Sequence, residues 1–276
     1  MRTYIPDGRA ALVIAHPGHE LRVYGWMNLG RPQVFVLTDG SGREGGSRLP
    51  ATANILAQIG IEPGKIYGRF TDVEFYRAIV SRNFGLFLDL TQTLADAFVN
   101  SQIDYVVSDA IEGYNPAHDV CRLIVDAAAE MASRSANRPI ASYDTLLARG
   151  ESDYSAVAAV VPIELDDDLL ARKLRAVREY SELAAEVDRI LEREGKDCLR
   201  TECLRQVRRG ELNGSFLTHS PYYEQYGEKQ VAAGYYSEVL RYRDHVYPLA
   251  EVLREFAAGQ TPTNQSDRHS ELVDYE

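Results

Sequence analysis

The sequence predicts an α/β protein, a mostly parallel sheet between two layers of helices, with a helical extension at the C-terminal end. Three observations predict it. Short apolar runs alternate along the chain with longer stretches of helical spacing, the order of repeated βαβ units. The runs are apolar throughout rather than polar at every second residue, as strands covered on both faces are. Three of the runs stop in loops rich in glycine, proline and polar side chains, and parallel strands bring such loops to one edge of the sheet.

The elements follow in order. Ala11-Leu12-Val13-Ile14-Ala15 is the first strand, broken by Pro17, which lacks a ladder donor, and by Gly18. Leu21 to Met27 begins a helix. Gln33 to Thr38 is the second strand and runs into the glycine-rich loop from Asp39 to Arg48. Pro50 to Ile59 has helical spacing and ends at Gly60, a C-cap residue. Lys65 to Tyr67 is a short strand, and Val73 to Val99 reads as helix with Gly85 as its weak point. Asp104 to Asp109 is the next strand, its loop runs from Glu112 to Asp119, and Ala117 to Met131 is an alanine-rich helix. Ile140 to Leu147 and Ala156 to Val161 are strand candidates. Asp166 to Leu191 reads as one charged helix with acidic residues at its start, where the helix dipole favours them. Thr218 to Glu228 is a tyrosine-rich loop, Ala232 to Ala257 a helix, and Thr261 to Glu276 a polar tail. The expected division is an α/β core over residues 1–195, an extension over 196–260 packed on it, and a flexible tail over 261–276.

The 276 residues suffice for an ample core, and the formal charge of −11 argues against affinity for nucleic-acid phosphates or anionic membranes. The first residues lack the apolar stretch of a secretion signal, and no run of about 18 apolar residues exists to span a bilayer. Cys121, Cys198 and Cys203 are odd in number and sit in helix-like surroundings, as free thiols of a cytoplasmic protein would.

The chemistry lies in the three loops, which carry His16, His19 and Glu20; Asp39, Arg43 and Arg48; and Asn115, His118 and Asp119. Two imidazoles and a carboxylate just past a central strand read equally as a metal site or as turn caps. Convergence of His118 on His16 and His19 would supply three nitrogen ligands and leave one position open, the arrangement of a catalytic zinc. The stretch from Asp39 to Gly46 lacks both the Lys-Ser/Thr ending of a P-loop and the spacing of a dinucleotide fingerprint.

Ala15-His16-Pro17-Gly18-His19-Glu20 resembles the Ala-His-Pro-Asp-Asp-Glu motif of the LmbE-like, or PIG-L, N-acetylglucosamine deacetylase family. Other segments fall in that family's order. Thr38-Asp39-Gly40 is similar to its Thr-X-Gly loop, and Arg48 resembles the arginine on its helix ending Leu-Gly. Gly68 with Asp72 is similar to its Leu-Gly-X-X-Asp segment, with one residue more, and Asn115-Pro116-Ala117-His118 to its His-Pro-Asp-His motif. Lys173 with Tyr180-Ser181 loosely resembles its Lys…Tyr-X-Ser-Gln helix. The likeness covers about residues 10 to 190. It implies a Rossmann-like fold and a site for zinc or another divalent metal, and it implies removal of an N-acetyl group from a sugar or glycoconjugate. It implies further that His16, His19 and His118 bind the metal, and that Arg48 and Asp72 contact sugar hydroxyls.

The departures are informative. Gly18 stands at the family's general-base aspartate, Asn115 at its oxyanion-stabilising histidine, and Ala117 at an aspartate able to orient a ligand histidine. The remaining catalytic candidates are Glu20, Asn115 and Asp119. Glu20 and Asp119 read equally as a base, a fourth ligand or an acceptor for an imidazole N–H. His219 and Glu224, in the tyrosine-rich segment, could also reach the site, and the tyrosines there suit either a sugar ring or an interface between copies in a homo-oligomer. Two alternatives stand beside the deacetylase. One is a catalytically impaired relative that binds a sugar or a protein partner. The other is a hydrolase of a different bond that uses Glu20 as its base.

Overall fold

The structure is a computed structural model that describes residues 5–43, 45–146, 160–181, 183–207 and 219–260. Seven strands form one sheet: β1 (Ala10–Ile14), β2 (Gln33–Thr38), β3 (Pro63–Phe70), β4 (Tyr105–Asp109), β5 (Ala141–Thr145), β6 (Val160–Glu164) and β7 (Thr201–Gln206). Their order is β3-β2-β1-β4-β5-β7-β6. The first five in that order are parallel, and β7 runs antiparallel to both β5 and β6. The helices are α1 (Tyr24–Gly30), α2 (Leu49–Gln58), α3 (Asp72–Val80), α4 (Phe84–Asn100), α5 (Pro116–Ser135), α6 (Asp167–Glu179), α7 (Ala184–Glu194), α8 (Tyr222–Ala232) and α9 (Tyr247–Ala257). This is the mostly parallel three-layer α/β fold that the sequence predicts.

The uninterrupted apolar character of β1 follows from its place. Ala11 and Val13 pack on one face with Phe35, Leu37 and residues of α3, α4, α5 and α9. Leu12 and Ile14 pack on the other with Val34, Val36 and residues of α1, α2 and α6. Side chains alternate with period two, and both faces are covered. Because β2 leaves β1 on one side and β4 pairs on the other, the crevice beyond the carboxyl ends of β1 and β4 is the switch point where such sheets bind ligands.

Long helical patterns are cut where the chain must turn inward. The stretch from Val73 to Val99 is two helices, not one, and the break is not at Gly85, which lies inside α4. Arg82 takes φ 53°, and the Asn83 N–H closes on the Ala78 carbonyl at 2.9 Å, a Schellman-type stop made without glycine. The stretch from Asp166 to Leu191 is likewise two helices, because Tyr180 leaves helical backbone (ψ 84°) and buries its ring. The tyrosine-rich segment forms α8 from Tyr222 onward rather than a loop. Residues 232–257 are not one helix: α8 ends near Gly234 (φ 77°), and a π-turn over Tyr242–Val246 leads into α9. The strand candidate at 156–161 begins at Val160 among the described residues; Leu147, residues 156–159 and Thr218 lie outside them.

Strand β7 has no counterpart in the sequence reading. It begins beyond residue 195 yet lies inside the sheet, and it carries Cys203, whereas Cys121 lies in α5 and Cys198 in a short 3-10 turn. All three cysteines are free thiols. Glu202 of β7 is fully enclosed, accepts from the Gly25 and Trp26 N–H groups at 2.8 Å and pairs with Lys173 Nζ at 2.8 Å. It thereby ties β7 to the start of α1 and to α6. Among the described residues no helix is long and apolar enough to cross a membrane.

Candidate active site

The crevice at the switch point gathers three imidazoles. His16 follows β1, His19 opens a 3-10 turn (His19–Val23), and His118 sits in the first turn of α5, just beyond β4. Gly18, at φ 105°, makes the turn that places His16 and His19 on the same side. Ring centroids lie 5.4 Å apart for His16–His19, 5.3 Å for His16–His118 and 4.6 Å for His19–His118.

Two of these rings lean on carboxylates. His16 Nδ1 lies 2.8 Å from Asp72 Oδ1, and Asp72 also accepts from the Thr38 hydroxyl at 2.5 Å and the Gly42 N–H at 2.6 Å. His19 Nδ1 lies 2.9 and 3.0 Å from the two oxygens of Asp109, which also accepts the Ala15 N–H at 2.8 Å. Burial alone would raise both carboxyls. The His16 contact with Thr38 and Gly42 holds Asp72 well below the usual carboxylate range, and His19 with His118 lowers Asp109. A carboxylate acceptor at Nδ1 places an N–H on that side of each ring and fixes its orientation. His118 is different. Its Nδ1 is buried with no partner, and burial, then the neighbouring His19, drives its pKa well down, so the ring is neutral at pH 7. Asp72, a sugar-binding candidate by resemblance, is thus placed behind His16. Asp109 was missed in sequence, although a charged residue closing an apolar strand was the available signal.

Three imidazoles, two of them backed by carboxylates and one with an orphaned nitrogen, are a donor set suited to a divalent ion. The rings nonetheless pack edge to face, and among the described residues no three His, Cys, Asp or Glu groups are already gathered for chelation. The chemistry of the donors fits; their present packing is not that of a closed chelate.

The other candidates divide. Asn115 caps α5, its Oδ1 accepting the Ala117 N–H at 2.9 Å, and its Nδ2 lies 3.5 Å from His16 Nε2. Glu20 is fully buried; Oε2 accepts the Gly18 N–H and Oε1 the Thr52 hydroxyl, each at 2.7 Å, and burial pushes its pKa up to about 7. Asp119 Oδ1 accepts the Glu112 and Gly113 N–H groups at 3.0 and 3.2 Å, while Oδ2 is buried and unpartnered; burial raises it to about 7. Neither carboxyl hydrogen-bonds an imidazole among the described residues. Arg48 lies across the second loop, Cδ 3.2 Å from where a side chain at Gly40 would begin. Glu224 is taken up by the Tyr242 N–H at 2.8 Å and by Arg241 at 3.1 Å, and His219 is exposed at the entry to α8. A Cβ on Gly18 would stand 3.0 Å from Leu183 Cδ1 and 3.6 Å from the Tyr180 hydroxyl.

No family model matches the chain, and no curated protein does. Solved structures do share its fold. The A40926 pseudoaglycone deacetylase Dbv21 superposes with a TM-score of 0.50 at 15% identity, over 74% of this chain and 98% of that one. The zinc-inhibited form of teicoplanin deacetylase Orf2 gives 0.50 at 15% identity, over 73% and 99%. A deacetylase–teicoplanin complex gives 0.53 at 13% identity, over 74% and 100%. At such identities the likeness is one of fold, and it extends over nearly the whole of each neighbour.

Proposed function

We propose that the chain is a metal-dependent amide hydrolase that removes the acyl group from an N-acylated sugar or glycoconjugate, with a catalytic site diverged from that of the LmbE-like family it resembles. The observation that carries this reading is the convergence of His16, His19 and His118 at the sheet's switch point, two of them held by carboxylates. Solved deacetylases that share the fold support it. His16, His19 and His118 would hold the ion, zinc by preference for nitrogen donors, and an ion so held polarises an amide carbonyl and brings the pKa of water to about 7. Asp72 and Asp109 fix the ring tautomers. Asn115, its Oδ1 committed to the helix cap, presents N–H donors toward the oxygen that becomes negative. Arg48, packed beside Gly40 in the second loop, would supply a cation for substrate hydroxyls.

One observation favours a second reading. Gly18 has no side chain to abstract a proton, and a Cβ there would crowd Leu183 Cδ1 at 3.0 Å. Such help is worth on the order of 10²–10⁴ in rate. A protein without it is either a slow hydrolase or a binder. Metal content of protein purified without chelators, wild type against His118→Ala, together with acetate released from N-acetylglucosaminides, decides. We expect one ion per chain, lost in the variant, and slow acetate release. Metal without acetate leaves the binder. Neither metal nor zinc uptake overturns the hydrolase.

A further inference from the structure

Four of the large apolar side chains left exposed among the described residues are tyrosines: Tyr114 (55%), Tyr222 (48%), Tyr226 (43%) and Tyr235 (58%). They are not scattered. Tyr114 and Tyr222 stack in parallel, centroids 5.3 Å apart and planes within 4°. Tyr222 and Tyr226, one helical turn apart on α8, lie at 6.4 Å. Tyr236, beside Tyr226 and Arg43, packs on Tyr76 at 5.5 Å, and the Arg43 guanidinium covers the Tyr235 ring at 4.3 Å.

At both ends the arc adjoins, along the chain, residues that contact the crevice. Tyr114 precedes Asn115, whose amide touches His16. Arg43 follows Gly42, whose N–H holds the carboxylate behind His16. The middle is rigid. The Tyr223 N–H binds the Gly113 carbonyl at 3.2 Å, Tyr223 is buried beneath the helix, and Glu224 clamps the Tyr242 N–H and Arg241. The ring surface that these contacts leave exposed is already held in place, which costs little entropy to use, and exposed aromatic surface of this kind marks an interaction site.

We propose that this tyrosine arc is a second saccharide subsite, which stacks sugar rings of the substrate lying beyond the one that carries the acyl group. A pyranose offers an apolar C–H face edged by hydroxyls, and tyrosine offers an apolar ring with a hydroxyl at its tip. Continuity of the arc with the imidazole crevice selects one long ligand over a separate partner, and the net charge of −11 disfavours a nucleic acid. The proposal rests on the sugar-directed reading above and gives it a substrate class, an oligosaccharide or glycoconjugate rather than a free amino sugar.

Isothermal titration with N-acetylglucosamine and its β-1,4-linked trimer tests it, on wild type and on Tyr114→Ala/Tyr222→Ala. In wild type the trimer binds about tenfold tighter, the worth of one or two aromatic contacts. In the variant the ratio falls to about one, whereas Tyr114→Phe/Tyr222→Phe, which keeps the ring faces, retains it. A wild-type ratio near one, no binding of either sugar, or a ratio untouched in the alanine variant overturns the proposal. So does sedimentation that shows a wild-type dimer dissociated by the alanine pair, since the tyrosines then serve a second copy. Length-dependent binding without acetate release leaves the subsite standing and removes the hydrolase.

Discussion

Gly18 combines a departure from the family pattern with a backbone that enforces it. At φ 105° an L side chain is strained, and its first atom would meet Leu183. Restoring the family carboxylate by Gly18→Asp is therefore expected to lower stability by about 1–3 kcal/mol, read as a lower melting temperature, and not to raise the rate of acetate release. A variant that gained activity without losing stability would show that the space is open. His19 shows the opposite kind of change. It stands where the family has a negative ligand, and a carboxylate lies one contact behind it in Asp109, both oxygens within 3.0 Å of Nδ1. On the proposed reading the negative charge stands one contact behind the ligand instead of on it. Asp109→Asn keeps an acceptor for the Ala15 N–H but loses that charge, so zinc affinity measured by competition with a chelating dye should weaken about 10- to 100-fold with the fold intact. Unchanged affinity would make Asp109 a packing residue.

Helix α5 carries the third loop into the crevice, and its cap is the element-level device that does so. Asn115 satisfies the Ala117 N–H with Oδ1 and by that commitment turns Nδ2 toward His16. Asn115→Asp keeps the acceptor and suits the helix dipole, but has no N–H to donate. Melting temperature should hold within a few degrees while acetate release falls by about 100-fold or more. Equal losses in both would mean that the residue acts only as a cap. Elements of this kind were legible in sequence: the strand run Gln33–Thr38 matches β2 end to end, and the helix expected from Ala117 begins one residue earlier, at Pro116. The breaks were not. Arg82 stops α3 in a conformation that glycine usually takes, and Tyr180 leaves its helix for burial near Thr52, a tertiary demand that helical spacing does not record. Strand β7 escaped because Thr-Glu-Cys-Leu-Arg-Gln is polar at four of its six positions with no alternation, and its Glu202 is held by partners more than 170 residues away, Gly25 and Trp26.

At the scale of the whole molecule, the fold class and the convergence of the first and third loops could be read in advance, because parallel strands send their carboxyl ends to one edge whatever the details. What depended on three-dimensional burial could not, and the buried acids are the clearest case. Glu20 reads in sequence equally as a base, a fourth ligand or an acceptor for an imidazole N–H. In the fold it is enclosed, hydrogen-bonded by Gly18 and Thr52, and raised by burial to about 7. A carboxyl whose folded pKa lies above its unfolded value near 4.5 binds its proton more tightly in the native state. The stability it contributes is complete below about pH 4.5 and is lost as pH rises through about 7. Asp119 adds in the same direction, while Asp72 and Asp109, both lowered, contribute stability that is lost only in acid. Glu20→Gln isolates one member of the sum, since the amide keeps an acceptor for the Gly18 N–H and the Thr52 hydroxyl can reverse to accept. Relative to wild type, the variant should gain stability steadily from pH 5 to about pH 7.5, by an amount on the order of 3 kcal/mol, and then level off. Denaturant unfolding at half-unit steps of pH measures that difference directly. A difference that stays flat across the range would mean that Glu20 is ionised throughout, with a carboxylate at the heart of the loop free to act as the base its position first suggests.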